Sequence, residues 1–225
     1  MKEKIKAFVI MYNRFTWAKN LCEFLSDNGC EVILMDNGST YPPLLKWYKT
    51  CGYKIHQMTN TCYNRGLWES GLIDSYGDKN YILTDPDLDL SLVPPDFVNK
   101  LFIGLENNPD VMKSGLSLKI DDLPENAYTK EVISWEKKWW EKPKDKNGFF
   151  MADLDTTLSL YDRERTSKFY KDGFFLAVRS PEPYVAKHLA WYNTPENITK
   201  EEQFYMDNVI GNRGQWSHRF KEYFK

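Results

Sequence analysis

The chain has 225 residues, 42% of them hydrophobic and 28% charged, with a formal net charge of −2. That length suits one large α/β domain better than two, because halving it would leave two marginal cores. The near-neutral charge carries no footprint for nucleic acid or an anionic membrane, and no stretch approaches the length of a membrane span. The four cysteines, Cys22, Cys30, Cys51 and Cys62, form no C-x-x-C pair, which argues against a zinc ribbon or a thioredoxin-like site. They are expected to be reduced, half-buried thiols of a cytoplasmic protein, in the producing cell or, for a viral chain, in its host. The apolar run at 7–11 is too short for a signal-peptide core and has no small-residue cleavage site.

In chain order, residues 6–11 form a short apolar run, hence a buried strand. Thr16 is a candidate cap for a helix reaching about residue 28, with Trp17, Leu21, Phe24 and Leu25 on one face and Gly29 as its stop. Residues 31–35 are a second apolar strand, followed by the turn Asp36-Asn37-Gly38-Ser39-Thr40. Pro42-Pro43 opens a short helix to about residue 50. A third strand is expected over 53–58, a helix over 68–76, a fourth strand over 81–84 and a helix from Pro94-Pro95 to about residue 107. This βαβα order predicts a mostly parallel central sheet flanked by helices.

The second half is less regular. A strand is expected over 111–120, an amphipathic helix over 131–142, one or two strands within 149–160 and another within 172–179. Thr199 and Glu202 form a capping-box pattern before a helix to residue 208, and 211–218 reads as a mobile loop.

In parallel sheets the ligand sits outside the carboxyl ends of the strands. The polar clusters Tyr12-Asn13-Arg14, Asp36–Thr40 and Asp85-Pro86-Asp87-Leu88-Asp89 all fall at such ends. Alternate residues of an extended chain face the same way, so the acidic residues of the last cluster can converge. Converging carboxylates repel one another and have no cation of their own in this stretch, so Mg²⁺ or Mn²⁺ would neutralise them and keep coordination sites for a diphosphate. The competing reading is a solvated acidic loop. Asp36 is placed to accept the imide N–H of uracil or to cap its own turn. Arg65, in Asn64-Arg65-Gly66, offers a fork to phosphate or is an ordinary surface arginine.

Together, 8–14, 33–40, 64–66 and 81–89 resemble, in motif, order and spacing, the nucleotide-binding half of family 2 glycosyltransferases of GT-A fold. Residues 115–124, Trp135-Glu136, 153–157 and 188–192 resemble a group of short bacterial and large-virus enzymes of that class. The resemblance implies a single GT-A domain over 1–225, with 1–108 binding a nucleotide sugar and 109–225 the acceptor. It implies transfer from a UDP-sugar to a hydroxyl, that of a glycan for preference, with Asp36 and the Tyr12-Asn13-Arg14 turn at the base and Asn64, Arg65 and Gly66 beside them. It puts Asp85 near the ribose and makes Asp87 the principal metal ligand, with Asp89 an additional acid. His188 is a candidate ligand to the metal or contact to the diphosphate. A Q-x-x-R-W motif, the mark of processive members, is absent.

An inverting transfer needs a carboxylate that is not a metal ligand to take the proton of the attacking hydroxyl. Asp155 is the candidate, with Asp153 as its rival and Glu136 and Asp121 behind them. Trp135, Trp139, Trp191 and Tyr192 are candidates for stacking on acceptor rings, or for core packing. Three other readings compete: a non-catalytic glycan- or nucleotide-binding relative, a nucleotidyltransferase and a haloacid-dehalogenase-type phosphatase. The last expects Gly-Thr where Leu88-Asp89 stands.

Overall fold

In the computed structural model, residues 4–58, 63–209 and 215–224 are described. The strands are β1 (Ile5–Met11), β2 (Cys30–Asp36), β3 (Lys54–Gln57), β4 (Asn80–Thr84), β5 (Leu88–Asp89), β6 (Lys113–Gly115), β7 (Ser117–Leu118), β8 (Ser159–Asp162), β9 (Ala177–Arg179) and β10 (Val185–His188). The helices are α1 (Thr16–Asp27), α2 (Pro42–Tyr48), α3 (Gly66–Glu69), α4 (Phe97–Asn107), α5 (Ala127–Trp140), α6 (Arg163–Phe169), α7 (Lys200–Asn208) and α8 (Gln215–Tyr223). Seven strands form one sheet in the order β3-β2-β1-β4-β8-β6-β9. The pairs among β3, β2, β1 and β4 are parallel, β8 runs antiparallel to both neighbours, and β9 is parallel to β6. This is an α/β domain with a mixed, mostly parallel central sheet flanked by helices. Strands from both halves of the chain join that one sheet. Among the described residues no helix is long and apolar enough to cross a membrane.

The apolar runs at 5–11 and 30–36 become strands because both faces of the sheet are covered. Ala7, Val9, Met11, Val32 and Leu34 enter the core with α1 and α4, while Phe8, Ile10, Ile33 and Met35 pack on the opposite face with Tyr81 and Tyr161. Period-2 alternation sends the two sets to opposite sides, so both must be apolar. From β1 the chain steps outward to β2 and β3, then returns to β4 on the far side of β1. The crevice above β1 and β4 is therefore the topological switch point, where open α/β sheets bind ligands.

Several expectations change. The helix expected over 68–76 is broken: α3 ends at Glu69, Gly71 takes φ +71°, and Leu72–Ser75 is a single 3₁₀ turn. The strand expected over 111–120 is two short strands, β6 and β7, which belong to different sheets. Within 149–160 only β8 is a strand; Phe150 makes isolated antiparallel bridges to Lys144 and Arg179, and 151–158 is irregular. The strand within 172–179 is confined to Ala177–Arg179. Of the loop expected over 211–218, residues 215–218 open α8, and 211–214 lie outside the described residues. Thr16 is the first residue of α1 rather than its cap. Glu201 serves the exposed donors instead, accepting from the Phe15 and Thr16 amides at 2.8 Å each. Cys22 and Cys30 are buried and Cys51 is half-buried, all free. Cys62 lies outside the described residues.

Candidate functional site

The Tyr12–Arg14 turn follows β1 directly. Asn13 takes the left-handed conformation at φ 55°, which asparagine tolerates better than most residues. Its side chain ties two turns together: its carbonyl oxygen accepts from the Thr40 amide at 2.6 Å and the Tyr41 amide at 3.0 Å. Its own amide donates to the Ser39 hydroxyl at 3.0 Å. Asp36, beside Met11 in the β1–β2 register, is buried, and its carboxylate accepts from the Ser39 hydroxyl, the Ser39 amide and the Tyr48 hydroxyl. Burial, with the Asp36 charge next, pushes the Tyr48 phenol far up. The turn-capping role of Asp36 is thus realised in the ligand-free chain.

Asp85 and Asp87 follow β4 at the switch point. The small sheet β5-β10-β7 brings His188 to them: His188 pairs with Leu88, and the Leu189 amide donates to the Asp87 carbonyl at 2.8 Å. The imidazole Nε2 is 3.6 Å from Asp87 Oδ2, and its ring stacks on Trp191 at 4.6 Å. Asp89 points elsewhere, capping the Ser91 amide at 2.8 Å.

The acidic cluster does contain a cation, contrary to the expectation from 85–89 alone. Arg14 donates to Asp87 Oδ2 at 2.6 Å and makes a two-pronged pair with Glu202, at 2.8 Å from Nε and 3.0 Å from Nη2. The guanidinium lies 3.7 Å from the Tyr205 ring centre. Burial opposes its charge, yet Glu202, Tyr205 and Asp87 raise its pKa above the ordinary range. Asp87 is also buried, and His188 and Arg14 hold its pKa down. The capping box expected at Thr199 is therefore only half made: Thr199 accepts from the Glu202 amide, but the Glu202 carboxylate goes to Arg14.

Asp85 experiences the opposite field. It is half-buried, and its carboxylate accepts from the Thr156 hydroxyl, at 3.1 Å to each oxygen. Burial raises its pKa well above the carboxylate range, and the charges of Asp155 and then Asp87 add to that. Asp155 is thus electrostatically close to Asp85. Its side chain is exposed, with one oxygen accepting the Thr157 amide at 3.2 Å. Asp153 is exposed as well, while Asp121 is exposed and paired with Lys119 at 2.6 Å. Glu136 is buried and paired with Arg179, and burial pushes its pKa up to about 7 against the pull of that arginine.

Among the described residues no group of three or more His, Cys, Asp and Glu side chains is arranged to hold a metal ion. Two features nevertheless suit a cation bound by few protein ligands: Asp87 Oδ1 is buried without a hydrogen-bond partner, and Asp85 is crowded by like charge. Among the described residues, His188 Nδ1 and Trp191 Nε1 also lack hydrogen-bond partners.

Asn64 is exposed and Gly66 buried at the start of α3. Arg65 is half-buried against the rings of Phe174 at 4.4 Å and Tyr170 at 5.4 Å. Among the aromatics considered for stacking, Trp135 is 52% exposed. Tyr192 is half-buried and donates to Asp122 at 2.5 Å. Trp191 is buried, with His188 on its face and Trp216 against it at 5.9 Å.

Lys113, Arg179 and Glu202 were not singled out from the sequence as site residues. The signal for the first was a lysine inside the apolar run 111–118, where a charged residue needs a reason.

No family model matches the sequence, and no curated protein matches it. Among solved structures, a CMP:2-keto-3-deoxy-manno-octonic acid synthetase complexed with CTP aligns at 11% identity and a TM-score of 0.48, over 75% of this chain and 78% of that one. The glycosyltransferase GlyE of Streptococcus pneumoniae TIGR4 aligns at 10% identity and a TM-score of 0.38, over 99% of this chain and 64% of that one. Its apo form gives 12% identity and a TM-score of 0.35, over 98% and 63%. The chain thus spans less than two thirds of the length of GlyE. None of these likenesses is strong enough to bear on function.

Proposed function

We propose that the protein is a glycosyltransferase that moves a sugar from a UDP-sugar to an acceptor hydroxyl, with inversion and with the help of Mn²⁺ or Mg²⁺. One observation carries the reading: Asp36, the Tyr12–Arg14 turn, Asp85 and Asp87 sit at the carboxyl ends of β2, β1 and β4, and the charge of the exposed Asp155, from the second half, acts on Asp85. In this reading the Asp36 turn and Asn13 form the rim for the base, and Asp85 takes the ribose hydroxyls. Arg65 supplies charge for the diphosphate.

Asp87 and Asp85 would hold the divalent cation, with His188 as a further contact. Such a cation neutralises charge on the departing diphosphate. The unpartnered Asp87 Oδ1 and the crowding at Asp85 support it. Asp155 then acts as general base: its carboxylate is exposed, is not among the candidate metal ligands, and holds the Thr157 amide through one oxygen, so that the other is the one to receive the acceptor proton. Asp153, exposed two residues earlier, is the rival. Trp135 and Tyr192 are the acceptor-side aromatics with accessible area.

The test is a thermal-shift panel of UDP, GDP, CDP and their sugar conjugates with and without Mn²⁺, followed by UDP release from whichever sugar conjugate binds. Selective, Mn²⁺-dependent stabilisation by UDP and UDP-sugars is the expected result. Binding of GDP ahead of UDP refutes the base assignment. Metal-independent binding with transfer assigns the cationic role at Asp87 to Arg14, and binding without UDP release from any conjugate leaves a non-catalytic protein.

A further inference from the structure

The segment 151–158 has almost no regular structure, yet it carries both candidate bases. Its backbone groups need partners from elsewhere, and three consecutive residues find them. Arg179 Nε donates to the Asp153 carbonyl at 2.8 Å. The Leu154 amide donates to the Phe175 carbonyl at 3.0 Å. Lys113 Nζ donates to the Asp155 carbonyl at 2.7 Å. Between the two cations, Leu154 is buried against Gly115, where any side chain would collide with it.

The use of these charges is unusual. Lys113 is fully buried, with its ammonium over the rings of Phe174 at 4.6 Å and Tyr161 at 5.3 Å. Among the described residues it has no carboxylate at ion-pair distance. A lysine committed to a neutral carbonyl in an aromatic pocket costs stability that an apolar residue would not. The return must lie in what the carbonyl's residue does. Arg179 is neutralised by Glu136, which leaves its Nε for the loop.

We propose that Lys113 and Arg179 are positioning residues, two buried basic side chains whose N–H donors clamp the Asp153-Leu154-Asp155 backbone and so hold the Asp155 carboxylate beside Asp85. The inference deepens the reading of Asp155 as general base and rests on it. The clamp acts through the backbone, so it leaves the chemistry of the carboxylate to Asp155 and determines only where it stands.

The primary variant is Lys113→Met, which keeps the volume and suits the aromatic surroundings. Its turnover of the UDP-sugar that the wild type hydrolyses or transfers should fall about a hundredfold, the scale expected of a misplaced catalytic group. UDP affinity should be unchanged and the melting temperature no lower. In an Asp155→Asn background the same substitution should cost nothing further, because the base it positions is already gone. Wild-type turnover in Lys113→Met, or additive losses in the double variant, overturns the proposal.

Hydrogen exchange reads the clamp without activity. The amides of 154–157 should exchange about tenfold faster in Lys113→Met, with those of β1 and β2 unchanged. Unchanged exchange at 154–157 overturns the proposal whatever the kinetics. If Lys113→Met does not fold, Arg179→Met combined with Glu136→Leu removes the other cation with its partner and is read the same way. If the wild type turns over no UDP-sugar, the glycosyltransferase reading fails, and the exchange measurement alone decides the clamp.

Discussion

The two carboxylates most central to the site are held in opposite ways. Asp36 is held locally: its partners Ser39 and Tyr48 lie within 12 residues of it, and Asn13 staples the same turn to the end of β1. Asp155 stands on a segment secured from a distance, by Lys113, 42 residues before it, and by Arg179, 26 residues after Asp153. A turn that satisfies itself is specified by its own few residues. An irregular segment clamped by buried cations depends on the strands that carry those cations. The Asp36 carboxylate is therefore held by short-range chemistry and the segment that carries Asp155 by long-range chemistry.

The contrast predicts separable failures. The largest is expected at the acceptor side. Asp155→Asn should slow transfer about a hundred- to ten-thousand-fold while UDP binding stays as in the wild type. Calorimetric UDP titration alongside a coupled UDP-release assay checks both halves. Normal transfer in Asp155→Asn together with its loss in Asp153→Asn would move the base to Asp153, and a product of retained anomeric configuration would rule out single displacement.

Breaking the local side should cost stability first. Asn13→Ala puts a Cβ-bearing residue without a side-chain acceptor at φ 55° and strips the Thr40 and Tyr41 amides of their partner. The expected loss is about 3 kcal/mol of unfolding free energy, with weaker UDP binding in the folded fraction. Urea unfolding measures it. A loss indistinguishable from zero would mean that water replaces the staple.

A smaller effect is expected where the two sides meet. Asp87→Asn should weaken Mn²⁺-dependent UDP binding by about tenfold or more, the value of one charge-assisted contact. Arg14 still has Glu202, so the fold should survive. If UDP binds the variant with wild-type affinity in Mn²⁺, Asp87 is not the metal ligand and its partner is Arg14 alone.

The smallest effect is on pH dependence. Burial brings Lys113 from 10.5 down to about 7, against the pull of Asp155 and Asp85. Between those values the unfolded chain binds the proton and the folded chain does not, so stability rises with pH across that window. The contribution is complete above 10.5 and is lost as pH falls through about 7. Lys113→Met lacks it. The wild-type melting temperature should therefore gain a few degrees on the variant between neutral pH and the upper end of the window. Parallel curves would show that the ammonium is not buried.

Much of the donor side could be read from the chain. The runs at 7–11, 32–35 and 81–83 are apolar because each strand is covered on both faces, and the polar clusters that follow them fall at the switch point. The acceptor side was less legible. Neither 151–158 nor β6 has a periodic pattern, since one is irregular and the other is three residues long. Glu202 fitted a local capping pattern, but its carboxylate goes to Arg14, 188 positions away.

By itself, then, the sequence determined the parallel strands, the turns after them and the residue types available at the strand ends. These depend on contacts between near neighbours and on burial patterns that repeat along the chain. Only the tertiary structure decided that β8 enters the sheet antiparallel, that Arg14 rather than a bare carboxylate cluster meets Asp87, and that Lys113 and Arg179 lie beneath Asp155. Each of these joins groups tens to hundreds of residues apart. Charge pairing and backbone satisfaction act through space, and no spacing along the chain encodes the distance at which they meet.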